Sequence, residues 1–114
     1  MLHVTDKNNN YRHMKLVMVT AVQEFQKDVL KLFKKANIEN FSSSDIDGYK
    51  NGSSLLMASN WFSGEKGGNE SSMFFSFTED ENIDTLFSLV TEFNTKLETN
   101  NPLKAIVIPI ERFI

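Results

Sequence analysis

A chain of 114 residues, 40% apolar and 24% charged, with ten phenylalanines, has the balance of one globular domain around a single core; this excludes a disordered chain and argues against a second domain. Its formal charge of −3 offers no general attraction to nucleic acid or anionic lipid. The absence of cysteine excludes disulfides, thiolate nucleophiles and cysteine-ligated metal centres.

Residues 1–13 are polar, contain Asn8-Asn9-Asn10 and precede a second methionine, Met14. They read as a flexible N-terminal tail ahead of a folded domain spanning 14–114. His3 and His13 on such a tail have no fixed geometry for a metal. The tail lacks the apolar core of a secretory signal, and no apolar run reaches the roughly 18 residues of a membrane helix, so the expected compartment is the cytoplasm.

Lys15–Ala21 is short, β-branched and apolar on both faces, the pattern of an interior strand. From Val22 the period becomes helical. Val22, Phe25, Val29, Leu32, Phe33 and Ala36 form one stripe, Gln23, Lys27, Asp28, Lys31, Lys34 and Lys35 take the other face, and the helix ends near Asn37. Lysines crowd its last turns, where they favour the helix dipole, and a bound phosphate is the competing explanation. Phe41–Tyr49 alternates loosely and reads as a weaker strand, with Ser42, Ser44 and Asp45 opposite Phe41, Ile46 and Tyr49.

The stretch from Asp45 to Ser72 holds all five glycines and the single tryptophan, and it has no hydrophobic period. It reads as a long loop over about 50–72, of a kind that is usually functional or disordered. Trp61-Phe62 stands out in it. These aromatics are candidate anchors for a partner's pocket, or they fold back over the sheet or a neighbouring subunit. Gly64, Gly67 and Gly68 allow the changes of shape that a ligand-gated loop needs, and they suit an idle tip equally. At the loop base Gly48, Tyr49 and Lys50 place an aromatic face and an ammonium together for a small anion or a base. Glu65, Glu70, Asp45 and Asp47 match no calcium-loop spacing and read as solvated acids.

Met73–Thr78 is a strand by aromatic content. Thr78 with Glu81 three positions on predicts a capping box. Ile83, Leu86, Phe87, Val90, Phe93 and Leu97 make the buried stripe of a second helix, which Asn100-Asn101-Pro102 stops. Lys104–Ile110 is the last strand, and Pro109 requires a free side or a bulge there. Glu111–Ile114 continues it, with Arg112 a candidate for a phosphate or carboxylate and an ion pair the alternative.

The order strand, helix, strand, loop, strand, helix, strand gives an α+β, ferredoxin-like βαββαβ fold: an antiparallel four-stranded sheet with both helices on one face. Strands one and four are apolar on both sides, so the second face calls for burial in an oligomer. No catalytic or metal motif accompanies this frame, and neither histidine lies in the core.

Over residues 14–114 the chain resembles the PII-like signalling proteins. The resemblance rests on the order of elements, on Asn37-Ile38-Glu39-Asn40-Phe41, and on Ser44-Asp45-Ile46-Asp47-Gly48-Tyr49 at the loop base. It implies a homotrimer without catalytic activity, an effector cleft between subunits, and a long T-loop that engages a target protein such as a membrane transporter. Nucleotide-binding members carry a glycine- and lysine-rich phosphate loop between helix two and strand four. Here Glu98–Lys104 holds no glycine and one terminal lysine, so an adenine nucleotide is a candidate effector unsupported by that loop. The tyrosine-bearing modification motif of the family's loop is also absent. A ferredoxin-like small-molecule enzyme and a metal-tolerance relative of the same superfamily are the alternatives.

Overall fold

The computed structural model describes residues 14–49, 68–97 and 100–114. Strand β1 (Met14–Val22) leads through a 3-10 turn at Gln23–Phe25 into helix α1 (Gln26–Lys35). Strands β2 (Ser42–Tyr49) and β3 (Gly68–Glu79), helix α2 (Asp80–Lys96) and strand β4 (Lys104–Pro109) follow. The sheet runs β2-β3-β1-β4 with every neighbouring pair antiparallel. This is the α+β ferredoxin-like arrangement, with β1 interior and β2 and β4 at the edges. Because β4 is an edge strand, Pro109 pairs with Lys15 on its inner side and needs no donor on the outer one.

Strand alternation assigns the two faces. Val17, Val19, Ala21 and Phe74 point to the helices and are buried with Phe25, Val29, Leu32, Phe33, Ile83, Leu86 and Val90 in one core. Phe33, Phe41 and Phe74 pack with ring centroids 4.9 to 6.4 Å apart, and Phe25 meets Phe93 edge-on at 5.7 Å, which ties the start of α1 to α2. Leu16, Met18, Met73, Phe75, Phe77, Ile106 and Ile108 alternate onto the opposite face. On that face Phe77 is 57% and Ile108 41% exposed.

Helix α1 ends in a Schellman motif. The Ile38 N–H donates to Phe33 O and the Asn37 N–H to Lys34 O, each at 3.0 Å, with Asn37 at φ 61°. Asparagine tolerates this left-handed position better than a branched residue, and Ile38 then enters the core beside the helix it terminates.

Several expected boundaries move, most of them because the sheet claims residues. Val22 pairs with Ser71 and closes β1, so the helical stripe begins in the 3-10 turn and the α-helix itself at Gln26. Residues 68–72, expected in the loop, are strand: Gly68 pairs with Tyr49, Glu70 with Asp47 and Ser72 with both Asp45 and Ala21. Thr78 sits opposite Lys15 in β3, so the capping box does not form. Glu79 occupies the N-cap without a side-chain bond, and Thr78 Oγ1 instead accepts from Asn82 Nδ2 at 3.4 Å. In β2 the register puts Ile46 on the face of Ser42 and Ser44, and Asp45 on the face of Ser43, correcting the loose alternation. Strand β4 stops at Pro109, one residue early. The tail at 1–13 lies outside the described residues.

Candidate functional site

The base of the β2–β3 hairpin and the connection from α2 to β4 lie toward one end of the sheet. The β2–β3 hairpin is paired out to Tyr49 and Gly68, three residues past the Ser71 pair that closes β1. Strand β4 begins opposite Thr20, near this end, and the connection from α2 arrives here. That connection is held by Asn94, whose Nδ2 donates to Leu103 O at 3.0 Å and whose Oδ1 accepts from the Leu103 N–H at 2.8 Å. One side chain thereby satisfies both main-chain groups of a residue only 2% exposed. The start of β4 is fixed to the last turns of α2 without a glycine-rich loop.

The residues expected to bind an effector are not gathered within one protomer. Gly48 and Tyr49 end the edge strand β2, and Lys50 lies outside the described residues. Arg112 is exposed and follows β4, which leaves the sheet at Lys15, the other end of β1. Ten residue steps of the ladder separate the Pro109 level from the Gly68 level, roughly 33 Å at about 3.3 Å per residue, and the two edges lie three strand spacings apart, about 14 Å. Within one protomer Tyr49 and the exit of β4 toward Arg112 therefore lie at opposite ends and on opposite edges of the sheet. Of the partner-binding loop, Gly68 is the first residue of β3 and not part of the loop, while Trp61, Phe62, Gly64 and Gly67 lie outside the described residues.

Carboxylates follow the hairpin. Asp47 and Glu70 are directly opposite on the helix-side face, with Asp45 two positions along, and all three are exposed. Among the described residues no group of three or more His, Asp or Glu is placed to hold a metal ion.

Two depressions were not foreseen. One, of about 380 Å³, lies where the chain enters β2, lined by Glu39, Asn40, Phe41, Ser42, Phe75, Ser76 and Phe77. Its floor is braced by Ser76 Oγ donating to Asn40 O at 2.6 Å. The alternation of Met73, Phe75 and Phe77 against Phe74 and Ser76 is the sequence signal that places Phe77 there. The other, of about 220 Å³, lies between the helices, with Leu32, Leu89, Phe93 and Leu97 below and Lys35, Glu92 and Lys96 at its rim. The Glu92 carboxyl is held below its ordinary value by the hydrogen bond from Lys96 and then by the charge of Lys96, with desolvation opposing and the charge of Lys35 the smallest contribution. Glu92 and Lys96 thus form an exposed ion pair one helical turn apart at the rim. Near the other end of the helical layer, Lys15 of β1 pairs with Asp80 in the first turn of α2. Among the described residues no helix is long and apolar enough to cross a membrane.

Comparison with known proteins places the fold. No protein-family model matches the chain, and no curated protein does. Among solved structures it is similar to CPII, a nitrogen regulatory PII-like protein from Thiomonas intermedia K12 bound to ADP, AMP and bicarbonate, at TM-score 0.57 and 13% identity over 89% of this chain and 96% of that one. It is also similar to a DUF3240 family protein from Shewanella baltica OS155, at TM-score 0.61 and 15% identity over 89% and 93% of the two chains. The resemblance to PII-like proteins thus holds for the fold over nearly the whole length.

Proposed function

We propose that this chain is a PII-like regulator without catalytic activity: a cytoplasmic homotrimer that senses a small effector at a cleft between subunits and contacts a target protein through the loop that follows Tyr49. The observation that carries the reading is the second face of the sheet. Leu16, Met18, Met73, Phe75, Phe77, Ile106 and Ile108 share it, and the two helices occupy the other side. Such a face is stable in water when copies of the sheet enclose it.

The separation of Tyr49 from Arg112 supports the same reading, because only neighbouring protomers bring the hairpin base of one near the C-terminal segment of another. The adenine nucleotides and bicarbonate held by CPII give the chemical classes to try first. Lacking a glycine-rich loop, this chain would hold a phosphate by side chains, with Lys50 and Arg112 the cations and Tyr49 the stacking face. An effector bound preferentially to one loop conformation shifts the population toward it, and a target such as a membrane transporter reads that shift.

The test combines light scattering at micromolar concentration with thermal denaturation in ADP, AMP and bicarbonate. A trimeric mass and a melting temperature that rises with one of these ligands are expected. A monodisperse monomer overturns the proposal. A trimer indifferent to all three leaves assembly in place and removes these effectors. Trp61→Ala is expected to spare assembly and to weaken capture of the target.

A further inference from the structure

The charges of this chain are sorted by element. Helix α1 carries Lys27, Lys31, Lys34 and Lys35 against a single carboxylate, Asp28, although the chain as a whole has a formal charge of −3. All four lysines are exposed, and Asp28 is half-buried. Helical spacing gathers them on one side: Lys27, Lys31 and Lys35 follow one another at i, i+4, and Lys34 lies one turn beyond Lys31. At a rise of about 1.5 Å per residue the cluster runs along roughly 12 Å of helix. Val29, Leu32 and Phe33 bury the other side of α1 in the core, so the lysines form a crest turned away from the sheet.

Helix stability does not account for this arrangement. The dipole favours Lys34 and Lys35 in the last turn, but Lys27 stands in the first turn, where a cation is disfavoured, and Lys31 in the middle. Like charges at i, i+4 repel, and Lys27, Lys31 and Lys35 make two such steps. Among the described residues the ion pairs are Lys15 with Asp80 and Lys96 with Glu92, and none of the four takes part. Leu30 adds an apolar group to the crest. It lies three residues from Lys27 and four from Lys34, and it is 40% exposed.

This chemistry selects a partner. Lysine is a hydrated point charge on a flexible stem, without the planar fork by which arginine grips one carboxylate, and no arginine stands on the crest. The surface is convex, with an apolar side chain among the cations. A diffuse negative layer that gives way to hydrocarbon at shallow depth answers both features, and four lysines on an amphipathic helix suit anionic lipid. Glu24 and Asp28 at the start of α1, and Glu92 at the rim shared with Lys35, temper the attraction and make the contact reversible.

We infer that the crest of α1, formed by Lys27, Lys31, Lys34 and Lys35 around Leu30, rests on the headgroup layer of an anionic membrane and holds the protein at its surface. The contact is with the lipid itself, separate from the loop and from the intersubunit cleft, and it lies within one helix, so it does not depend on the oligomeric state.

Cosedimentation of the full chain with two kinds of vesicle is the test: equal parts phosphatidylserine and phosphatidylcholine, and phosphatidylcholine alone. The native chain is expected to bind the anionic vesicles at ~0.1 M salt and to leave them at ~1 M, where the Debye length falls from about 10 Å to about 3 Å. It is expected to ignore the neutral ones. A lysine at such a surface contributes roughly fivefold in partition, so Lys27→Ala with Lys31→Ala is expected to lower binding about 25-fold. The melting temperature of this variant is expected to stay at or above the native one, since both positions are exposed and two repulsions are removed. Lys27→Arg with Lys31→Arg is expected to keep the binding. Absence of binding to the anionic vesicles at the lower salt overturns the inference, and capture of poly-glutamate in its place assigns the crest to an acidic protein. Binding that the double alanine variant retains overturns it by moving the contact to another surface. In both cases a trimer that responds to an effector leaves the regulatory reading standing, while a monomer held on the vesicles by these lysines removes that reading and supports this one.

Discussion

Replacement of Asn94 by alanine tests whether one side chain stands in for the missing glycine-rich connection. In the native chain Asn94 makes two bonds, 3.0 and 2.8 Å, to the main chain of Leu103. Leu103 is 2% exposed, so alanine leaves a carbonyl and an N–H desolvated without partners. Each such orphan costs about 1–3 kcal/mol, and partial access of water at the helix end puts the pair near 2–4 kcal/mol. At roughly 4–8 °C per kcal/mol for a domain of this size, the melting temperature falls by roughly 8–30 °C. Urea denaturation at one fixed protein concentration is the assay, because an oligomer's stability moves with concentration. Asn94→Leu keeps the bulk without the hydrogen bonds and is expected to lose as much as alanine. Thr95→Ala, one residue on and exposed, is the control, expected within about 0.5 kcal/mol of the native chain. A loss below about 0.5 kcal/mol for Asn94→Ala refutes the argument and assigns the connection to packing alone.

Ser72 is fully buried with an Oγ that has no hydrogen-bond partner among the described residues, so Ser72→Ala is expected to match the native chain or exceed it by up to about 1 kcal/mol in the same urea assay; a loss above about 1 kcal/mol would reveal a bond to that hydroxyl. Glu92, whose carboxyl lies below its ordinary 4.5 because of Lys96, stabilises the fold above that value and loses this contribution as pH falls through the lower folded value. Carboxyl titration by NMR is expected to show Glu92 returning toward 4.5 in Lys96→Ala, and an unchanged titration would discard the pair as its cause.

The site was less legible than the fold, and particular residues show why. Tyr49 and Arg112 are each natural choices for an anion, yet proximity between them depends on which edge each strand takes and which way it runs. Asn94 gave no signal at all. A polar residue between Phe93 and Thr95 fits any helix, and its value appears only when Leu103 folds back against it. The depression at Phe77 was half visible: alternation put its ring on the open face, but the depression also needs β3 to run four residues past its last pair with β2.

Sequence alone determined the elements and the layering. Period-two and helical repeats are local properties of side-chain spacing, and they sufficed to place β1 inside, both helices on one face and a second apolar face opposite. Tertiary structure decided what local spacing does not encode. Gly68–Ser72, poor in strand-forming residues, are strand because β1 and β2 offer paired main chain on both sides, and Thr78 gives up a helix cap for a place opposite Lys15. Pairing energy is shared across strands distant in sequence, so it overrides propensity wherever the sheet extends beyond the pattern that announced it.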